Sequence, residues 1–168
     1  DAQLKFKGNS VASALQRLAK VDVTDMMPIL GSEKTTYYRN KLEFTFSNKR
    51  WLESPDQVEE QADMNALGFH VPGRFDKILD IKHCYLQDEP SNSIRNSIRE
   101  YAVENELSFY DLRNHNGALR NVIIRKTIIN ELMVCVVFAY AKEAEINGLM
   151  EFLKVKFPEI TSLLYIEN

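Results

Sequence analysis

Residues 122–139 read VIIRKTIINELMVCVVFA, which is two β-rich runs separated by only two residues. The first run covers Val122–Ile129 and the second covers Leu132–Ala139. Two such runs with so short a connection are typical of a β-hairpin. The second run is apolar on both faces, which is typical of a strand covered from both sides. We therefore predict a hairpin whose second strand is central and buried.

Upstream of this hairpin the chain alternates between apolar and polar residues, as a strand with one wet face does. In residues 41–46 every second side chain is large and apolar. Residues 67–71 alternate again, and a further strand-like run covers Ile78–Leu86. Residues 53–65 are acidic and nearly free of large apolar side chains, so we expect a surface excursion there. These segments predict a meander of short strands.

Three segments carry apolar residues at helical spacing. The first is residues 2–20, with a stripe formed by Leu4, Val11, Leu15 and Leu18. The second runs from Ser91 to Asn105, and the third covers residues 141–157 and is closed by Pro158. A final strand covers Ile160–Ile166. This order predicts an α+β fold in two layers: a mostly antiparallel sheet with helices on one face, plus an N-terminal amphipathic helix.

Composition describes an ordinary globular chain of 168 residues, 45% hydrophobic and 27% charged, with two Cys. Its apolar runs are too short for a membrane-spanning helix, and no signal peptide opens it, so we expect a cytoplasmic protein with reduced cysteines. The net charge is −3, but residues 1–50 carry nine basic against five acidic residues, and residues 51–100 carry five against ten. Any face that binds anions must therefore be local.

Little in the chain is suited to catalysis. It has three His and two Cys, and it contains no H-E-x-x-H, C-x-x-C, G-x-S-x-G, G-x-G-x-x-G or P-loop motif. His83 and Cys84 together are the best fragment of a soft-metal site, and a small metal or thiol enzyme using this pair is one hypothesis. A structural metal site needs about four ligands, so the favoured interpretation is that Cys84 is a small buried residue and not a ligand.

Two basic stretches carry more information. The first interleaves cations with aromatic residues: Lys34, Arg39, Lys41, Lys49 and Arg50 with Tyr37, Tyr38, Phe44 and Trp51. The second has no acidic residue between Leu112 and Asn130 and contains Arg113, Arg120, Arg125 and Lys126. Cations for phosphates and flat rings under splayed bases are what single-stranded RNA requires. The alternative is that Phe44 is core and the cations only solubilise the outer sheet face.

In their order along the chain, several motifs together resemble the bacterial RNA (uracil-5-)-methyltransferases, which use S-adenosylmethionine to make 5-methyluridine in 23S ribosomal RNA or in tRNA. They are YRNKLEFTF (38–46), LGFH (67–70), DIKHCYL (80–86), LRNVIIR (119–125), ELMV (131–134) and LLYIEN (163–168). One departure lies before Glu131, where the family's Thr-Gly-Glu hairpin is replaced by Ile129-Asn130-Glu131. The turn keeps a turn-forming residue but lacks the glycine.

The resemblance implies that this chain is the central domain of a longer enzyme. Residues 1–22 would form a helix that docks on an absent catalytic domain, and residues 23–168 would form the central α+β domain. The S-adenosylmethionine loop, the nucleophilic cysteine and the catalytic base would all lie beyond Asn168, so we expect no catalytic residue, no cofactor and no activity in this chain alone. Cys84 matches the fourth cysteine of a four-iron, four-sulfur cluster whose other three ligands would precede residue 1. We expect no cluster in this chain.

The partner implied by the resemblance is RNA, ribosomal RNA first and tRNA as the alternative. By resemblance, the RNA contacts are assigned to Arg39, Lys41, Phe69 and His70, with Arg120 and Arg125 behind them. A competing hypothesis is a non-enzymatic interaction module that self-associates or docks a protein partner, with a homodimer formed through the N-terminal helix. No interaction with a membrane is expected.

Overall fold

The computed structural model describes residues 2–52, residue 54 and residues 63–168. The predicted excursion over residues 53–65 therefore lies mostly outside the described residues. The chain forms two compact units, Asp1–Thr35 and Thr36–Asn168. Among the described residues, no helix has the length and apolar character needed to cross a membrane.

The first unit contains the predicted N-terminal helix. Helix α1 covers Ala2–Ala14 and continues as a π-helical turn, Leu15–Ala19, which ends at Lys20 in the left-handed conformation. Of the predicted apolar stripe, Leu4 is half-buried and lies against Gly31, whereas Leu18 is exposed. The helix is thus present as predicted, but most of its stripe faces solvent.

The second unit is built on one sheet. Within the described residues its strands are β1 Lys41–Ser47, β2 Ala66–Val71, β3 Arg74–Asp80, β4 Leu119–Lys126, β5 Leu132–Phe138 and β6 Ser162–Glu167. Their order is β3-β2-β1-β4-β5-β6, and every pairing is antiparallel except that of β5 with β6. Two helices, α2 Ser91–Glu104 and α3 Glu143–Lys156, complete the α+β fold that the sequence predicted.

The core lies between the sheet and these two helices. Phe44 of β1, Ile124 of β4 and Val136 of β5 are fully buried in one cluster with Ile98 of α2 and Leu149 of α3. Each such side chain contributes roughly 1.5–3 kcal/mol when it leaves water. Strand β5 is also covered on its other face, as its sequence predicted, since Cys135 and Val137 are buried there.

Two strand predictions have the wrong bounds. The run predicted over Ile78–Leu86 is strand only up to Asp80, because beyond it the backbone is held by side chains of α2. The predicted hairpin connection of two residues is instead the five residues 127–131, in which Ile128 and Ile129 are exposed. Asn130 adopts a φ of 65° in this turn, a left-handed conformation that Asn tolerates, so it serves where glycine is usual.

Strand β1 departs from its predicted alternation at its end. Thr45 and Ser47 are buried although they occupy the polar positions of the pattern. The chain beyond β1 crosses to the edge of β3, where the Trp51 N–H donates to the Ile78 carbonyl (2.7 Å) and the Ile78 N–H donates to the Lys49 carbonyl (3.3 Å). Both buried hydroxyls have partners there: Ser47 Oγ accepts from the Lys49 N–H (3.0 Å), and Thr45 Oγ1 accepts from Asn121 Nδ2 (3.2 Å).

Candidate nucleic-acid interface

Two of the predicted cations face each other across neighbouring strands. Lys41 of β1 lies directly opposite Arg125 of β4, and both are exposed. Like charges directly opposite each other in a sheet destabilise it slightly, so the pairing favours an anion at this point. Glu43 forms an ion pair with Lys41 (3.5 Å), but both side chains are well exposed and the pair is weak. The surface here has the charge that a phosphate group requires.

Arg39 extends this cationic end of the sheet. It is exposed just before β1, and its N–H donates to the Leu86 carbonyl (2.8 Å). The Asn40 carbonyl accepts a hydrogen bond from the Lys126 N–H, so the start of β1 and the end of β4 meet. Arg39, Lys41 and Arg125 therefore gather at one end of the sheet, which we name the cationic end. In the described part of the chain, neither Arg39 nor Arg125 has an ion-pair partner.

Other predicted cations are used inside the fold. The Lys49 Nζ donates to Asp111 (3.0 Å), and this hydrogen bond holds the pKa of Asp111 well below its usual value. Arg113 Nε donates to Asp76 (2.6 Å), which likewise lowers the pKa of Asp76. Lys126 pairs with Asp88 (3.0 Å). Lys49 and Arg113 balance buried carboxylates, and Lys126, itself half-buried, pairs with an exposed one, so these three cations contribute little to an anion-binding surface.

Arg120 lies apart from the cationic end. Its guanidinium lies over the Tyr110 ring (5.1 Å), and Nη1 donates to the Asn168 carbonyl (3.0 Å). Four strand residues separate it from Arg125, so the two positions lie about 16 Å apart along β4. The structure thus does not bring Arg120 together with the other predicted RNA contacts.

Phe69 and His70 lie on opposite sides of β2, as neighbouring strand residues must. Phe69 is half-buried with its ring 5.2 Å from that of Phe44, so it belongs largely to the core. His70 is exposed. Their assigned role as RNA contacts stays a prediction, and His70 is the more accessible of the two.

An aromatic cluster that sequence reasoning missed lies beside Arg39. The Tyr37 hydroxyl and His83 Nε2 are 3.0 Å apart, and the His83 and Tyr85 ring centroids are 4.4 Å apart. Residues 37 and 83 are far apart along the chain and meet because the Tyr37 N–H donates to the Tyr85 carbonyl (2.7 Å). We call Tyr37, His83 and Tyr85 the aromatic cluster. Tyr37 belongs to the first basic stretch identified in the sequence, but nothing in the sequence placed it beside His83 and Tyr85.

Cys84 points away from this cluster and is buried. Its N–H donates to Asn92 Oδ1 (2.7 Å), and its carbonyl accepts from Asn92 Nδ2 (3.3 Å). The adjacent His83 is exposed and bonded to Tyr37, so the two side chains do not converge as metal ligands would. In the part of the chain that the structure describes, no three His, Cys, Asp or Glu residues gather in a metal-binding group. These residues alone do not fit an iron–sulfur cluster, which requires four ligands.

The fold matches a segment of a known RNA-modifying enzyme. The crystal structure of Pyrococcus abyssi tRNA (uracil-54, C5)-methyltransferase in complex with S-adenosyl-L-homocysteine superposes on the chain with a TM-score of 0.67. The alignment covers 100% of this chain and 34% of that enzyme at 20% identity, so the likeness is one of fold. No protein-family model matches the chain.

The chain also has relatives in sequence. The chain is 50% identical over 172 residues to an uncharacterized RNA methyltransferase of Bacteroides thetaiotaomicron, covering 99% of this chain and 38% of the relative. Uncharacterized RNA methyltransferases of Porphyromonas gingivalis and Chlorobaculum tepidum match at 50% and 36% identity, over 100% and 95% of this chain and 38% and 34% of the relatives. The chain is therefore related to RNA methyltransferases along its whole length, which confirms the resemblance. It spans little more than a third of their length.

Proposed function

We propose that this chain is the RNA-holding central domain of an S-adenosylmethionine-dependent methyltransferase that modifies C5 of uridine in 23S ribosomal RNA. The observation that carries the proposal is 50% identity over essentially the whole chain to RNA methyltransferases of which it spans 38%. The cationic end supports it with three exposed cations, of which Arg39 and Arg125 have no ion-pair partner among the described residues. In this proposal the chain is catalytically incomplete and works together with domains on both sides of it.

The chemistry of the reaction explains why a holding domain is needed. C5 of uracil is a poor nucleophile until a thiolate adds to C6, and that attack requires the base to leave its stack. Extruding a base is costly unless the surrounding RNA is held in an open form. Arg39, Lys41 and Arg125 would hold the phosphates of such an opened loop, while catalytic groups of another domain carry out the transfer.

Salt-dependent RNA binding tests the proposal. We expect the protein to bind a fluorescently labelled single-stranded loop of 23S ribosomal RNA more tightly than a tRNA transcript, and both more tightly at low salt. Removing both charges with Lys41→Gln and Arg125→Gln should lower the slope of log K against log salt by about 1.4, because each phosphate contact on a single strand contributes roughly 0.7.

A matched control is Lys154→Gln, which removes an exposed cation on α3 that pairs only weakly with Glu151. It should leave the slope unchanged. Calorimetry with S-adenosylmethionine should show no binding to the 168-residue chain, and labelled methyl groups should not reach RNA. Turnover by this chain alone, or the absence of any RNA binding at low salt, would contradict the proposal. If tRNA binds more tightly than the ribosomal RNA loop, the proposed substrate is wrong and tRNA takes its place.

The alternative function is an interaction module that self-associates. The observation in its favour is β6, an edge strand on which Leu164, Tyr165 and Ile166 are each about half exposed. Exposed edges with apolar side chains are templates for pairing with another chain. Sedimentation velocity at two salt concentrations distinguishes self-association from RNA binding, because apolar self-association persists at high salt and RNA binding does not.

A further inference from the structure

We propose that the aromatic cluster of Tyr37, His83 and Tyr85 is a stacking platform for unpaired RNA bases, with Arg39 holding the adjacent phosphate. The inference rests on the proposed function and adds to it the form of RNA that this surface takes, an unstacked single strand. Aromatic side chains bind bases of any sequence by stacking, because every base has a flat face.

The rings are accessible and are not stacked on one another. Tyr85 is 63% exposed and Tyr37 is 38% exposed. His83 meets Tyr37 at an interplanar angle of 86° and Tyr85 at 62°, and the two tyrosine rings are tilted at 43° with centroids 6.1 Å apart. An edge-on contact covers one face of one ring only, and the exposure of Tyr85 leaves ring surface open to solvent and to a base.

The loop that carries His83 and Tyr85 is rigidly held although it is irregular. Asn92 bonds both backbone groups of Cys84, and Asn96 Nδ2 donates to the Lys82 carbonyl (3.0 Å). Below them Arg95, 1% exposed, donates from Nη1 to Asn92 Oδ1 (3.0 Å) and lies over the Phe44 ring (5.1 Å). A surface positioned in advance loses less entropy when it binds, which is what a binding site needs and a passive loop does not.

Tyr37 is held in an unusual conformation. Its φ is 53°, in the left-handed region that non-glycine residues seldom occupy. The bonds of its N–H to Tyr85 and of its hydroxyl to His83 keep it there. Such outliers persist only where the surroundings fix them, and they concentrate at functional sites.

Charge around the cluster also suits a nucleic acid. Arg39 and Lys82 are exposed next to its members along the chain. Glu89, an exposed acid that interacts electrostatically with His83, is opposed in its ionisation by desolvation, but hydrogen bonds from the Ser93 N–H and hydroxyl lower its pKa overall. Those bonds direct its carboxylate to the start of α2. The phosphates that flank a stacked base would thus meet cations.

The test compares an eight-nucleotide uridine strand with an abasic strand of the same length, by fluorescence anisotropy. We expect the unaltered protein to bind the uridine strand more tightly. Tyr85→Ala should weaken that binding about 5- to 150-fold, the effect of losing one stacked base, and leave the abasic strand unaffected. Tyr85→Phe should retain the affinity, because the ring and not the hydroxyl makes the contact.

Tyr140→Ala is the matched control, since Tyr140 is 70% exposed outside the cluster, and it should change neither affinity. Circular dichroism melting of each variant checks that it is folded, and Tyr85→Leu replaces Tyr85→Ala if the latter unfolds. The inference is overturned if Tyr85→Ala affects both strands equally or neither, or if it changes only the sedimentation of the protein. A protein that binds neither strand nor any ribosomal loop refutes the proposed function instead.

Discussion

Replacing Asn92 by Ala should be among the most damaging single changes to an amide side chain in this protein. The Asn92 side chain is buried, accepts from the Cys84 N–H (2.7 Å) and from Arg95 Nη1 (3.0 Å), and donates to the Cys84 carbonyl (3.3 Å). Losing the bond to the charged guanidinium costs roughly 1.5–3 kcal/mol, and a buried N–H without an acceptor costs about 1–3 kcal/mol. The third bond is long and adds little.

We therefore expect Asn92→Ala to lower the free energy of unfolding by about 3–5 kcal/mol. With a urea dependence of roughly 2–3 kcal/mol/M, the unfolding midpoint should fall by about 1–2.5 M. The fluorescence of Trp51, the single tryptophan of the sequence, follows the transition. Because the same side chain holds the loop of the aromatic cluster, affinity for single-stranded RNA should fall as well.

Two further variants make this prediction specific. Asn96→Ala removes a half-buried amide of α2 that donates to the Lys82 carbonyl (3.0 Å) and accepts from Arg95 Nη2 (3.0 Å). It should cost about 2 kcal/mol, less than Asn92→Ala, because no buried backbone N–H loses its acceptor. Asn92→Asp keeps an acceptor for Cys84 and Arg95 and should recover most of the lost stability. If the unfolding midpoints of Asn92→Ala and Asn96→Ala are equal, the buried hydrogen bonds of Asn92 contribute less to the free energy of unfolding than their geometry implies.

Two more predictions concern the sheet and its carboxylates. The pKa of Asp111 is depressed in the folded state, chiefly by Lys49, so the contribution of the ionised carboxylate to stability is complete above about pH 4 and is lost as the pH falls below that value. In urea titrations, the free energy of unfolding of Asp111→Asn should therefore fall less between pH 7 and pH 3 than that of the unaltered protein. Gly68→Ala should destabilise the protein by about 1–3 kcal/mol in the same assay, because an added Cβ would collide with the Leu79 carbonyl of the paired strand. Gly73→Ala should cost about 1 kcal/mol, because Gly73 has open space around it but a φ of 75°. Equal effects at the two glycines would contradict this distinction.

The sequence predicted secondary structure well wherever a single spacing of apolar residues extends over a whole strand or helix. The alternation that begins at Lys41 and the helical spacing after Ser91 predicted β1 and α2 closely, since each element buries one side. The run Ile78–Leu86 misled for the same reason. Cys84 is buried between exposed neighbours as it would be in a strand, but its backbone is bonded by a side chain of α2. The local sequence pattern cannot show whether the backbone of a residue is bonded by a neighbouring strand or by a side chain of a helix.

The candidate site was harder to predict because it depends on which charges remain free after folding. Lys49 and Arg113 read like RNA contacts in the sequence, yet both neutralise carboxylates of the fold. Arg39 and Arg125 read no differently and stay exposed. The aromatic cluster joins segments 46 residues apart, which are brought together by backbone hydrogen bonds from residues 37 and 39 to residues 85 and 86.

A net charge of −3 is compatible with binding a polyanion because charges act over a short range in salt. At physiological ionic strength exposed charges are screened beyond about 8 Å. The acidic excess falls in residues 51–100, where Asp63 and Asp80 are paired with Arg99 of α2. A phosphate at the cationic end would be governed by the cations there and by Glu43. The proposal therefore requires a modest salt dependence, since the three cations of the cationic end would contribute a slope of only about 2 to log K against log salt.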